Sequence, residues 1–286
     1  MVGIHAPRLA QSNVRRQGED FCAGEQLLSA GTRVGPSQIA LLASLGLPEI
    51  AVVRRPRVGV LTTGNEVVDP GQTLKPGQIW DSNGPAIAAL IEQAGAIPVR
   101  LGIARDNASD VRQRLGDAQA AGLDLLITSG GVSAGDYDLV KEVLRASGDI
   151  AFWSVRIKPG KPLAFGLLDG LPLIGLPGNP VAGMVAFLQF ARPALMKMLG
   201  RADLFLPEIE ARLLDRVENR GGRRNFVRVR VEQAADGWTA TLTGAQGSAQ
   251  LSTMARANGL LIIPEEMTVA EPGMRFQVQM PGWEMG

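Results

Sequence analysis

Three loops, each combining glycine with hydroxyl, amide or acidic residues, stand where an apolar run hands over to a helix-forming stretch. They are Thr62-Thr63-Gly64-Asn65-Glu66, the segment from Thr128 to Asp138, and Leu176-Pro177-Gly178-Asn179-Pro180. Apolar runs alternating with helical patterns predict parallel strands joined by helical crossovers. In such a sheet the loops gather at the carboxyl ends of the strands, so the three describe one anion-binding crevice.

The alternation begins near Arg57. Val58–Leu61, Val99–Ile103, Leu123–Ile127 and Leu173–Leu176 read as strands. Ser82 and Asn83 read as the cap of a helix with Ile87, Leu90 and Ile91 on its buried side. Further helices are expected over 109–121, 139–145 and 181–199. After Pro207 the rhythm becomes short runs separated by turns, which predicts a small all-β barrel. Before Arg57 the chain is turn-rich, with one helix opened by Pro36-Ser37 and an apolar face of Ile39, Leu42 and Leu45. The expected fold class is therefore α/β: a three-layer domain with a mainly parallel sheet over 54–204, then a C-terminal barrel over 205–286. Residues 1–53 are too few for a core of their own.

Bulk properties exclude several functions. A net charge of +1 gives no general attraction to nucleic acid or membrane, and no apolar run approaches the roughly 18 residues of a membrane span. One cysteine, Cys22, allows no internal disulfide, and Met1 to Ala10 lack the apolar stretch of a signal peptide, so a reducing, cytoplasmic setting is expected. One histidine, His5, leaves no Ser-His-Asp triad or multi-histidine metal site. The expected partner is a small molecule.

In the loop from Thr128 to Asp138, glycines allow backbone amides to approach a phosphate, and the following helix adds its positive end. A tight strand-to-helix turn is the plainer reading. The loop is neither a Walker loop nor a dinucleotide fingerprint, because neither glycine spacing is met. Pro177 and Pro180 fix the chain around Gly178, and Asn179 is placed to cap the helix that Pro180 begins. Glu66, Asp106 and Asp138 each follow a different strand end, where carboxylates hold a hydrated Mg²⁺ against a phosphate or simply stabilise a helix start. Only five of the 29 basic residues are lysines, and two of them fall in Lys158-Pro159-Gly160-Lys161-Pro162. Point charges on a proline-braced turn suit an oxyanion.

Together these segments resemble a known family. Asn13-Val14-Arg15-Arg16-Gln17-Gly18-Glu19-Asp20, Thr63-Gly64-Asn65-Glu66, Asp81-Ser82-Asn83, Ser129-Gly130-Gly131-Val132-Ser133, Lys158-Pro159-Gly160-Lys161-Pro162 and Leu176-Pro177-Gly178-Asn179-Pro180 are similar, in order, to the molybdopterin molybdenumtransferases, relatives of the gephyrin E domain. The resemblance implies insertion of molybdate into adenylylated molybdopterin with release of AMP, aided by Mg²⁺. It further implies a MogA-like α/β domain, a C-terminal barrel, a homodimer, and molybdopterin adenylyltransferase and molybdoenzyme-maturation proteins as partners.

Carried over by residue, Glu66, Asp106, Asp138 and Lys158 match the family's catalytic groups, with the three acids as its metal ligands. Lys158, Arg228 and Ser248 match its molybdate pocket. Thr63, Gly64, Ser82, Asn83, Ser129, Gly130, Gly131, Val132, Ser133, Lys161, Pro177, Gly178, Asn179 and Pro180 match its substrate-binding segments. Three departures stand out. Ser154 follows Phe152-Trp153 where the family usually has lysine, which implies one lost cation in the molybdate pocket. Asn65 replaces the commoner aspartate. The family's leading domain, with its Met-Asp-Gly motif, has no counterpart here, so residues 1–53 are expected to be the remnant of N-terminal and linker domains. Because that domain closes the cleft across the dimer, this chain alone is expected to bind the adenylylated pterin but turn it over poorly. Two other functions compete: a molybdopterin adenylyltransferase, which would not need the barrel, and a non-catalytic molybdopterin-binding scaffold.

Overall fold

The computed structural model describes residues 14–131, 139–146 and 148–283. The chain divides into two compact units, Met1–Ile50 and Ala51–Gly286. Among the described residues of the first lies one helix, Pro36–Ser44, with Pro36 in its first turn and the Gly35 N–H donating to Gln38 Oε1 at 3.1 Å. Its expected apolar face is only partly covered, with Leu42 half-buried. No residue of this helix is buried, and Ile39 is 58% exposed.

The second unit opens with a six-stranded sheet in the order Ile97–Ala104, Arg57–Thr63, Leu125–Ser129, Leu171–Leu176, Pro162–Leu168, Asp149–Ser154. The first four strands are parallel and the last two antiparallel. The central strands are buried on both faces, which is why they read as unbroken apolar runs. On one face, helix Asn83–Gln93 and the rod beginning at Pro180 bury Ile87, Ile91, Val185, Phe187 and Leu195. On the other, Ala108–Ala120 and Leu139–Ala146 bring Val111, Leu115 and Val143 against Leu61, Leu126 and Leu173.

Two features differ from expectation. The rod is not uniform: Pro180–Ala186 and Arg192–Met198 flank a wider turn, Phe187–Ala191. Pro193 has no N–H to return along the helix, and a π turn accommodates that break in the ladder. The sequence reading also leaves Asp149–Ser154 and Pro162–Leu168 without structure, yet they pair along their whole length. Their glycines are the reason. A Cβ at Gly148 would strike the Leu167 carbonyl and one at Gly166 the Asp149 carbonyl, so residues that look like turn signals allow close strand approach.

Beyond the sheet, strands Gly237–Leu242, Glu208–Leu213, Arg275–Gln279, Gly259–Ile263 and Arg224–Ala234 pair in that order, and the last pairs back to the first. The result is a closed five-stranded barrel filled by Val227, Val229, Val231, Ala240, Leu261, Ile263 and Val278. Residues on the opposite face of two of these strands, Phe226 and Leu260, join the core beneath the Pro180 rod. Barrel and sheet therefore share a core. A two-residue strand, Ile157–Lys158, also leaves the α/β domain and pairs in parallel with Arg224 and Asn225 of the barrel.

Candidate functional site

A cleft of 1470 Å³ runs between the strand ends and the barrel. That exceeds the roughly 300–1,000 Å³ of an ordinary small-ligand pocket, so it accommodates a substrate of more than one part. One wall is made of the strand-end loops. The Asn65 N–H donates to Asp106 Oδ2 at 3.1 Å and the Asp106 N–H to Asn65 Oδ1 at 3.0 Å. Arg105 adds bonds to the carbonyls of Asn65 and Val67. The amide at position 65 thus ties two loops together with a neutral side chain, where an aspartate would face the Asp106 carboxylate. Glu66 and Asp106 are both exposed and both line the cleft.

The helix beginning at Asn83 is capped differently from expectation. Neither Ser82 nor Asn83 supplies the cap. Buried Asp81 does, accepting the Gly84 N–H at 2.8 Å and the Thr62 hydroxyl at 3.2 Å. Asn83 is thereby free for another task. Its amide donates to the Ser129 hydroxyl at 2.8 Å and the Gly178 carbonyl at 2.6 Å, pinning three loops at one point. Gly130 packs so closely that a Cβ there would lie 2.6 Å from Thr63 Oγ1, and its φ of 92° suits glycine alone. Asn83→Ala is expected to lower stability by about 1 kcal/mol, as for a typical lost hydrogen bond. It should weaken phosphate-containing ligands several-fold, as calorimetric titration with AMP would show.

Asn179 occupies the helix N-cap but its side chain makes no cap bond. The Val181 N–H instead donates to the Ser248 carbonyl at 3.1 Å, so a barrel loop helps close the end of the Pro180 helix. Ser248 itself lines the cleft with Gln246, Gly247 and Ala249.

The cleft also carries cations. Lys158 is half-buried in its two-residue strand, and Gly160 is buried with its α-carbon against the Pro180 helix, near the Ala182 carbonyl. The lysine turn is therefore braced by structure on both sides. Lys158, Lys161 and Arg223 line the cleft, and no carboxylate among the described residues pairs with any of them. Neither Arg223 nor Asp81 carries a role assigned from the sequence, where Asp81 appears only within the Asp81-Ser82-Asn83 segment.

Arg228 lies elsewhere. It is 1% exposed and absent from the cleft lining. Its guanidinium donates to Thr253 Oγ1 at 3.1 Å and to the carbonyls of Ala245 at 3.2 Å, Gln246 at 3.3 Å and Gly247 at 3.0 Å. Burial pushes its pKa down to about 10, so it stays charged at neutral pH. Arg228 holds the Ser248 loop from behind. Because a trans peptide directs its N–H opposite to its C=O, the Gly247 carbonyl bonded to Arg228 turns the Ser248 N–H away from the guanidinium.

The cleft thus brings together Thr63, Gly64, Glu66, Ser82, Asn83, Asp106, Ser129, Gly130, Gly131, Lys158, Lys161, Pro177, Gly178, Asn179, Pro180 and Ser248. Val132, Ser133 and Asp138 lie outside the described residues. Ser154, the last residue of the edge strand, is exposed and does not line the cleft. Among the described residues, no group of three acids, histidines or cysteines gathers as a metal site.

Comparison with known proteins matches each part of this architecture. The sequence pattern of a "Probable molybdopterin binding domain" matches residues 59–197, that of the "MoeA C-terminal region (domain IV)" 210–280, and that of the "MoeA N-terminal region (domain I and II)" 2–46. The last takes in residues 2–12 as well as the Asn13–Asp20 segment on which the resemblance begins. A molybdopterin molybdenumtransferase 2 of Mycobacterium tuberculosis is 38% identical over 97% of this chain and 69% of its own length. The enzyme of Haemophilus influenzae is 37% identical over 89% of this chain and 63% of its own. A solved molybdopterin biosynthesis MoeA protein from Pyrococcus horikosii superposes with a TM-score of 0.82 at 33% identity, covering 94% of this chain and 66% of that one. The chain spans about two thirds of the length of these relatives. With its α/β and barrel regions matched in order and a relative 38% identical over 97% of its length, the chain belongs to the molybdopterin molybdenumtransferase family.

Proposed function

We propose that this protein acts in molybdenum cofactor biosynthesis, inserting molybdate into adenylylated molybdopterin with release of AMP. One observation carries the reading: a single cleft is lined both by Lys158, Lys161 and Arg223 and by glycine loops suited to phosphate. The cations and the Ser248 loop hold the molybdate oxyanion. Gly130, Gly131 and the Asn83–Gly178 lock hold the phosphoanhydride through backbone amides and fixed polar groups. When a water or molybdate oxygen bonds to the pterin-side phosphorus and the anhydride P–O bond breaks, AMP departs with added negative charge, which preorganised donors stabilise without reorganising.

Glu66 and Asp106 present hard oxygen donors on the loop wall, which suits a Mg²⁺ that keeps most of its waters. Such an ion would supply neutralisation of phosphate charge. The two loops bearing the acids are already tied through Asn65, so they need little ordering to receive it. Asp138 is proposed as a third acid of this set.

The protein is proposed to act as a homodimer, which the exposed Ile39 and Leu45 on the partly covered face of helix Pro36–Ser44 support. No helix among the described residues is long and apolar enough to cross a membrane. A cytoplasmic setting suits the exposed free thiol of Cys22. The adenylylated substrate must come from a molybdopterin adenylyltransferase.

Incubation with adenylylated molybdopterin, molybdate and Mg²⁺ tests the reading. AMP release with molybdenum retained on the pterin is the expected result. Tight pterin binding without AMP release would instead establish a scaffold.

A further inference from the structure

We propose that Trp80 is the platform on which a planar heteroaromatic ring of the substrate stacks, an inference that rests on the proposed function. Trp80 is the only aromatic residue among the described residues lining the cleft. Its backbone is held on both sides: the Ile79 N–H donates to the Glu66 carbonyl at 2.8 Å and the Asp81 N–H to the Val68 carbonyl at 2.8 Å. The indole N–H donates to the Gln72 carbonyl at 2.8 Å, which fixes the ring and satisfies its one polar group.

A tryptophan held in this way has already lost its rotamer freedom, yet it remains 53% exposed, next to an Ile79 that is 56% exposed and also lines the cleft. What it still offers is the face of its π system, beside Asp81 and Asn83. The other exposed tryptophans, Trp153 and Trp238, do not line the cleft. The cleft's charged and polar groups recognise phosphate and oxyanion but give no surface for a flat ring. Trp80 supplies it, and Ile79 extends the apolar floor. Both adenine and pterin have the required chemistry, and separate titrations distinguish them.

The test compares wild type, Trp80→Leu and Trp80→Phe by calorimetric titration with AMP, with pterin lacking a phosphate, and with inorganic phosphate. Loss of stacking is expected to weaken AMP or pterin by on the order of tenfold to a hundredfold in Trp80→Leu. Phe should restore most of the affinity, although it too lacks the indole N–H. Phosphate binding should be the same in all three. In turnover, Trp80→Leu should raise KM for the adenylylated pterin more than it lowers kcat. Equal binding of AMP and pterin by all three proteins overturns the proposal. So does a parallel loss of phosphate binding, or a changed oligomeric mass with ligand affinity intact. If wild type binds neither AMP nor pterin, the proposed function falls together with the platform; if it binds them and Leu is indifferent, only the platform falls.

Discussion

Replacing Arg228 by methionine is expected to lower the stability of the unit Ala51–Gly286 by on the order of 3 kcal/mol and to remove most molybdate affinity. The buried guanidinium donates to the buried Thr253 hydroxyl and to three part-buried loop carbonyls. An unpaired acceptor costs up to about 1–3 kcal/mol at the buried hydroxyl and less at the carbonyls, where water can reach the loop, and relief of the arginine's own desolvation offsets part of the sum. For a unit of this size that corresponds to a Tm lower by roughly 6–12 °C, measurable by calorimetry. Arg228→Lys separates the arginine's two contributions. Lysine keeps a positive charge, but a single nitrogen cannot span Ala245, Gly247 and Thr253. Stability should recover in part while molybdate binding stays weak. Recovery of full molybdate affinity in the lysine variant would show that charge alone matters and that the loop needs no clamp.

Lys158→Ala is expected to lower turnover by about 10²–10³-fold, the usual scale for losing one preorganised donor to a developing or bound oxyanion. Stability should barely change, because the strand that carries the residue is held by backbone pairing to Arg224 and Asn225 rather than by the ammonium group. The loss should appear as a raised molybdate requirement, partly overcome at high molybdate. The same substitution at Lys161, which is exposed, should have a smaller effect. Equal effects at the two positions would remove the distinction between them.

Much of this architecture was legible in the sequence, and the exceptions share a cause. The parallel strands and glycine loops show themselves because central strands are apolar throughout and their loops need left-handed glycines, as at Gly130 and Gly131. Strand Asp149–Ser154 hides because it is an edge with Trp153 exposed and Gly148 beside it. The cap expected from Ser82 and Asn83 comes instead from Asp81, since Asp, Ser and Asn all cap helices and only packing decides which one is buried. Arg223 and Arg228 are inseparable by type. They differ because Arg223 precedes the barrel strand and reaches the cleft, while Arg228 sits within it, covered by the Gln246 loop.

The strand Ile157–Lys158 has a consequence for anyone who would take this chain apart. By giving two residues to the barrel, the α/β domain sets its lysine by a ruler that belongs to its neighbour. An excised α/β module would keep its glycine loops but lose the edge that registers Lys158, and with it the Ser248 carbonyl that closes the Pro180 helix. Grafting a barrel from another relative would in turn move the lysine as surely as a mutation in the lysine's own loop. The barrel is thus the gauge against which the catalytic face is aligned, and the two are expected to be inherited and exchanged as one piece.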